Sequence, residues 1–167
     1  MEERELAVLQ ALKELGIPFA RHEHPPVYTV AEAERHWEGI RGAHCKNLFL
    51  RNQKGNRHFL VVLEHRRRLD MRRLGEILQV GKLSFASEER LAKYLGLTSG
   101  AVSAFGLIND RDREVEVILD EALKETGEIN FHPNVNTATL TVAFDDFLKF
   151  LAWSGHPPRY IRLEDRA

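Results

Sequence analysis

The sequence predicts an α+β fold, one domain built on a curved mixed sheet, largely antiparallel, with helices around it. Three observations predict this. Segments of helical and of alternating hydrophobic period follow one another in mixed order. Several alternating segments are joined by short turns of hairpin type. The chain has 167 residues, 43% of them hydrophobic, which is enough for one substantial core, and it is close to the usual size of a domain. No repeat, linker or low-complexity tract gives a reason to divide residues 1–167.

The elements follow in order. Leu6, Leu9, Leu12 and Leu15, with Val8 beside them, recur at helical spacing and Gly16 ends the run. A helix is expected over 3–15 with those leucines facing inward. Residues 17–23 read as a short strand, and His24-Pro25-Pro26 as a rigid extended turn, since proline fixes φ. Thr29 with Glu32 three residues on forms a capping box that opens a helix through Trp37. Residues 44–51 and 58–63 are strands flanking the polar loop 52–56, where Gly55 supplies positive φ. Asp70 caps a helix ending near Gln79, and Ser87 caps another through Tyr94, stopped by Gly96. Residues 114–119 alternate charged and apolar, the pattern of a half-buried strand, and 128–131 and 137–142 read as two more. Phe144, Phe147, Leu148 and Leu151 share one face of a last helix over 144–153.

Composition narrows the function classes. The formal net charge is −1, so no global field steers the chain toward nucleic acid and any RNA contact rests on a local basic patch. Cys45 is the single cysteine, which excludes an internal disulfide framework and fits a reducing cytosol. The opening MEERELAVLQALKELG is acidic, then amphipathic, unlike a signal peptide. No window approaches the ~20 apolar residues of a membrane span. A soluble, cytoplasmic protein is expected.

The common hydrolase signatures G-x-S-x-G, H-E-x-x-H and the P-loop are missing. Cys45 follows His44, but strand neighbours point to opposite faces, so a buried structural cysteine is the better account. His22-x-His24 offers two imidazoles on one strand face, yet zinc needs a third and fourth ligand that the spacing does not supply; no metal is expected. The run Arg66-Arg67-Arg68 with Arg72 and Arg73 is either a solvated face or a phosphate-contacting strip.

Three segments carry more. If Leu48 and Leu50 face the core, alternation puts Lys46 on the same face, where its ammonium either meets an anion or snorkels to water. Residues 96–107, with Gly96, Gly100 and Gly106 among small side chains, let backbone approach a ligand and aim N–H groups at a developing oxyanion. His132, held before Pro133 between two strands, is positioned rather than mobile.

At these segments the sequence resembles the YbaK/prolyl-tRNA editing family, stand-alone relatives of the editing insertion domain of bacterial prolyl-tRNA synthetase. It is most similar to the ProX-type and PrdX-type alanyl-tRNA(Pro) deacylases. The resemblance spans nearly the whole chain, through Glu23-His24-Pro25-Pro26-Val27-Tyr28-Thr29-Val30 and Gly42-Ala43-His44-Cys45-Lys46-Asn47-Leu48-Phe49-Leu50. It continues at Leu83-Ser84-Phe85-Ala86-Ser87, Phe105-Gly106-Leu107-Ile108-Asn109-Asp110, Phe131-His132-Pro133 and Asn136-Thr137-Ala138-Thr139.

The resemblance implies hydrolysis of an aminoacyl ester on tRNA by water, with no metal, no other cofactor and no covalent intermediate. It implies that Lys46 holds a phosphate of the tRNA 3′ end, that Asn47 positions the same terminus, and that His132 lines the aminoacyl pocket. Gly100 and the substrate-binding residues Ala101, Val102, Ser103, Ala104 and Phe105 form the loop that shapes the pocket. The expected partner is the 3′ acceptor end of tRNA(Pro) carrying a wrong amino acid. Prolyl-tRNA synthetase or an elongation factor stays open as a protein partner, and neither membrane nor DNA is expected.

One departure stands out. The family loop commonly carries proline four residues after its glycine, and here that place is Ala104, which frees φ and is expected to loosen the pocket wall. Alanine is the first choice for the amino acid removed, with cysteine or serine as alternatives. A non-catalytic tRNA-binding regulatory module is the third reading.

Overall fold

The computed structural model describes residues 1–162, Val30 by its backbone alone. The chain forms α1 (Glu3–Glu14), β1 (Ala20–Glu23), α2 (Val30–Trp37), β2 (Ala43–Asn52), β3 (His58–Glu64), α3 (Met71–Leu78), β4 (Leu83–Phe85) and α4 (Glu88–Leu95). Short 3₁₀ turns at Ser99–Ala101 and Ala104–Asn109 lead to β5 (Val115–Asp120). After these come β6 (Glu128–Phe131), β7 (Ala138–Ala143), α5 (Phe144–Ser154) and β8 (Arg159–Ile161).

The expected α+β architecture is present. The strands join in the order β1-β7-β6-β2-β3-β5-β8, with β4 also on β2. The sheet is mixed as expected: β1–β7, β6–β7, β2–β3 and β2–β4 are antiparallel, while β2–β6, β3–β5 and β5–β8 are parallel. The short strands β4 and β8, three residues each, carry too little periodicity to be read in sequence.

Strand β2 decides where the site can be. One edge pairs with β3 from Cys45 to Arg51. The other edge is shared, Ala43 and His44 pairing with β6 and Leu50 to Asn52 with β4. The stretch 45–48 therefore has a strand partner on one side only. Gly42 makes the approach to β6 possible. Its φ is +91°, and a Cβ there would meet Glu128 O at 2.8 Å.

Two apolar clusters fill the two faces. The larger gathers α1, α4 and α5 with Phe49, Leu60, Val62, Phe131 and Leu140. The smaller packs Leu74 and Leu78 of α3 on Leu50, Phe59, Val61 and Leu63. Strand β5 turns Val115, Val117 and Leu119 into the larger cluster and Ile118 into the smaller, so only Glu116 of its residues is exposed. The half-buried reading of 114–119 is corrected accordingly.

The first helix also departs from expectation. Leu6 is exposed (49%), and Glu5 is buried instead. Glu5 takes two hydrogen bonds from Arg21 of β1, at 2.7 and 3.2 Å, and this satisfied pair turns the helix face. The caps hold: Thr29, Asp70 and Ser87 each accept the expected backbone N–H, and Gly96 closes α4 at φ 66°. Glu32 reaches back to the N–H of Tyr28 (3.1 Å), one residue before the cap.

The β2–β3 hairpin is clamped from α4. An Arg90 Nη1 donates to Gly55 O and to Nε2 of His58, both at 2.9 Å, and Tyr94 lies over the His58 ring at 4.1 Å. Arginine only donates, so His58 must be neutral. Burial, and then the Arg90 charge, push its pKa from 6.5 to about 4. Between those values the unfolded chain binds a proton that the folded chain refuses. Stability should fall as the pH drops through this window, by about 3 kcal/mol at most. Urea melts from pH 7 to 4 should show a shallower loss in His58→Gln than in wild type, and parallel curves would contradict the assignment.

Candidate functional site

A cavity of about 280 Å³ opens where β2 lacks its second partner. Four consecutive β2 residues, His44, Cys45, Lys46 and Asn47, reach it. Neighbours on a strand point to opposite faces, so the cavity wraps around the strand edge. The remaining walls come from α2 and its approach (Tyr28, Ala33, Trp37), from Ser99, Gly100 and Val102, and from β6 and β7 with His132 and Thr139.

Lys46 shares the face of Leu48 and Leu50, as alternation predicts, and is half-buried. It is the only permanently charged side chain among the lining residues. No hydrogen bond or ion pair joins its ammonium to another described residue. Burial lowers its pKa, with Glu64 opposing and Arg68 adding to the shift. An ammonium without an ion pair to another described residue thus stands at the wall of a cavity lined by no carboxylate, with Glu64 the opposing charge felt there.

His132 follows β6 and lines the same cavity. Its Nδ1 lies 3.0 Å from Ala138 O, a group that only accepts, so Nδ1 carries the proton and Nε2 keeps its lone pair. Burial lowers the pKa, so the ring is a neutral acceptor. Beside it, His24 is fixed at both ring nitrogens, by Pro25 O (2.9 Å) and Thr139 Oγ1 (3.0 Å). Among the described residues no group of three metal-ligating side chains is assembled.

The His44–Cys45 pair separates as expected. Burial pushes the Cys45 thiol up to about 12, an unreactive state. His44 stacks on Trp37 with ring centres 4.4 Å apart, and Trp37 meets His65 edge-on at 4.6 Å.

The loop residues divide. Gly100 and Val102 reach the cavity, whereas Ala101, Ser103, Ala104 and Phe105 are buried behind its wall. Phe105 is core, packed on Phe131 and Phe150. Three N–H groups offered to an oxyanion are already engaged: Ala101 with Thr98 O, Ala104 with Asn47 Oδ1 and Phe105 with Ser103 Oγ. Gly100 has no positive φ, and a Cβ there would meet nothing closer than 3.6 Å. Its smallness therefore keeps open the gap between Tyr28 and Asn136.

Ala104 does not loosen the wall. It is fully buried, and its N–H donates to Asn47 Oδ1 at 3.0 Å, a bond proline lacks the hydrogen to make. Ser103 at φ −153°, ψ 147° has the extended backbone that precedes proline, and Ala104 opens a 3₁₀ turn. A side-chain tether from β2 thus does what a fixed φ would do. Asn47 is held by the loop through its carbonyl, and its amide nitrogen is what it has left to offer.

Sequence reasoning misses Trp37, His65, Asn130 and Thr139 as lining residues. Thr139 sits in a quoted motif and Trp37 ends a capped helix, but nothing in one dimension brings them to Lys46. Replacing Asn47 by Ala, or Ala104 by Pro, removes the same bond. Each is expected to cost about 1 kcal/mol, the proline less by roughly 0.4–1 kcal/mol of unfolded-chain entropy. Urea melts of both singles and the double should show a coupling of about 1 kcal/mol. Simple additivity would mean the loop is held by something else.

Residues 24–150 match the family described as "Aminoacyl-tRNA editing domain". The chain is 43% identical over 157 residues to "Prolyl-tRNA editing protein ProX" of Acetoanaerobium sticklandii, spanning 94% of this chain and 96% of that one. It is 37% identical over 153 residues to "Prolyl-tRNA synthetase associated domain-containing protein 1" of Mus musculus, with 89% and 90% covered. A solved structure of a candidate trans-editing enzyme for prolyl tRNA synthetase shares the fold, with TM-score 0.73 at 20% identity over 98% and 99% of the two chains. With the match covering the cavity and all of its lining residues, the chain belongs to the family of aminoacyl-tRNA editing domains.

Proposed function

We propose that the chain is a cytoplasmic trans-editing hydrolase that cleaves the aminoacyl ester of mischarged tRNA(Pro), with alanine as the amino acid removed. The observation that carries this is the single ammonium of Lys46, joined by no ion pair to another described residue, at the wall of a small cavity lined by no carboxylate. The similarity to ProX over nearly the full length of both chains supports the choice of tRNA.

Lys46 holds a phosphate of the 3′-terminal nucleotide and so sets the ester beside Gly100 and His132. Water adds to the ester carbonyl carbon, and the bond to the ribose oxygen breaks. The free amino acid leaves as its carboxylate, the ribose oxygen keeps one proton of the water, and the other proton is released to solvent. An aminoacyl ester is already activated, so placement and electrostatics suffice. The substrate's own neighbouring ribose hydroxyl organises the water, and His132, neutral with Nε2 open, shapes the pocket and accepts a hydrogen bond. Asn47 acts by holding the 100–105 loop. Discrimination follows the sieve argument: a proline site rejects alanine by only about 1–3 kcal/mol per missing methylene, and a second, smaller pocket supplies the remainder.

A panel of tRNAs charged with alanine, cysteine, serine and proline should show fastest release of alanine and sparing of Pro-tRNA(Pro). Lys46→Ala should lower kcat/KM on the preferred ester by about 100-fold, the loss of one charge-assisted phosphate contact of roughly 3 kcal/mol. Full activity in that variant would remove the role given to Lys46. Preference for cysteine or serine would change the substrate, and tRNA binding without hydrolysis of any ester would leave a regulatory module.

A further inference from the structure

Five arginines follow β3, at 66, 67, 68, 72 and 73, in a chain whose net charge is −1. The structure divides them into two kinds. Arg66 Nε lies 2.9 Å from Glu64 Oε1, and Arg67 Nε lies 3.3 Å from Asp120 Oδ2 at the end of β5. The Asp120 side chain is only 2% exposed, so Arg67 ties the segment to the sheet. Arg68 and Arg73 are exposed, and no carboxylate of the described residues is within ion-pair distance of either. Arg72 meets Glu76 at 3.8 Å, both side chains well exposed, and such a pair contributes little.

The position of the segment matters as much as its charge. The N–H of His65 donates to His44 O at 2.8 Å, so the chain leaves β3 beside the cavity end of β2. Asp70 then caps α3, which packs on the sheet face that also carries Lys46. Both Glu64 and Arg68 are felt at the Lys46 ammonium, the carboxylate attracting and the guanidinium repelling, and among the described residues no ion pair or hydrogen bond joins Lys46 to either. Like charges gathered along one segment repel, and a ligand with several anionic groups in a row relieves that repulsion.

We propose that Arg68, Arg72 and Arg73 form a phosphate track that continues from Lys46 along α3 and carries the sugar-phosphate backbone of the RNA behind its 3′ end. Arg66 and Arg67 are the anchors that hold this track in place. The contact is to backbone, so it positions the substrate without reading its sequence. The identity of the RNA rests on the deacylase reading.

The test compares wild type with the Arg68→Ala/Arg73→Ala double variant on full-length mischarged tRNA and on an aminoacylated 3′-terminal oligonucleotide too short to reach α3. The preference in kcat/KM for the full-length substrate should drop about tenfold, through KM, with an unchanged melting temperature. The slope of log affinity against log salt for uncharged tRNA, read by fluorescence anisotropy, should become shallower by about 1–2. Equal preference and equal slope in both proteins would overturn the track. So would a loss equally large on the oligonucleotide, which would place these arginines at the reacting end. A loss seen only with prolyl-tRNA synthetase present would point to a protein partner and also overturn it. If wild type hydrolyses no ester, the deacylase reading fails, and the anisotropy slopes still decide the track.

Discussion

The site depends on a limit of β pairing: one strand edge can satisfy one partner at a time. Strand β2 divides its second edge between β6 and β4, and residues 45–48 between them have no strand beside them. A gap in a sheet leaves backbone groups and alternate side chains of both faces open together. Lys46 and Asn47 occupy that gap, so a lysine from one face and an amide from the other serve one cavity. Had either β6 or β4 been longer, the gap would be closed and the ammonium would have no place to receive an anion.

The electrostatics of the cavity follow from what it leaves out. A carboxylate paired with Lys46 would neutralise its charge. None lines the cavity, and of the histidines that do, His132 is held neutral by burial with its Nδ1–H donated to Ala138 O. The wall near the substrate is kept rigid by the Asn47–Ala104 tether instead of a fixed proline φ. The same division of labour recurs outside, where Arg66 and Arg67 are spent on carboxylates while Arg68 and Arg73 are not. An overall charge near zero does not bar RNA binding, because phosphate contacts depend on local charge.

Local signals in the sequence read well where the physics is local. The caps at Thr29, Asp70 and Ser87, the glycine stop at Gly96 and the hairpin around Gly55 depend on residues within four positions of each other. They read poorly where a distant partner intervenes. Leu6 and Glu5 exchanged places because Arg21 of another element satisfies the carboxylate. Strands β4 and β8 are held by neighbours rather than by their own pattern, and β5 is buried on both faces by apolar clusters drawn from elements remote in sequence. The loop is the clearest case. Six adjacent residues from Gly100 to Phe105 look alike in sequence, but only Gly100 and Val102 reach the cavity, since the 3₁₀ turns rotate the others into the core.

By itself the sequence determined the order of the helices and longer strands, the α+β class, the face of β2 that Lys46 shares and the motifs that place the chain among the editing domains. Those follow from periodicity, capping and residue identity, which act over a few residues. Only the tertiary structure decided that one edge of β2 is left without a strand partner at 45–48, that Asn47 spends its carbonyl on the loop, and that Trp37, His65, Asn130 and Thr139 join the wall. Each of those is a meeting of segments far apart in the chain. Which polar groups such a meeting satisfies, and which it leaves open, is settled only when the chain has closed on itself.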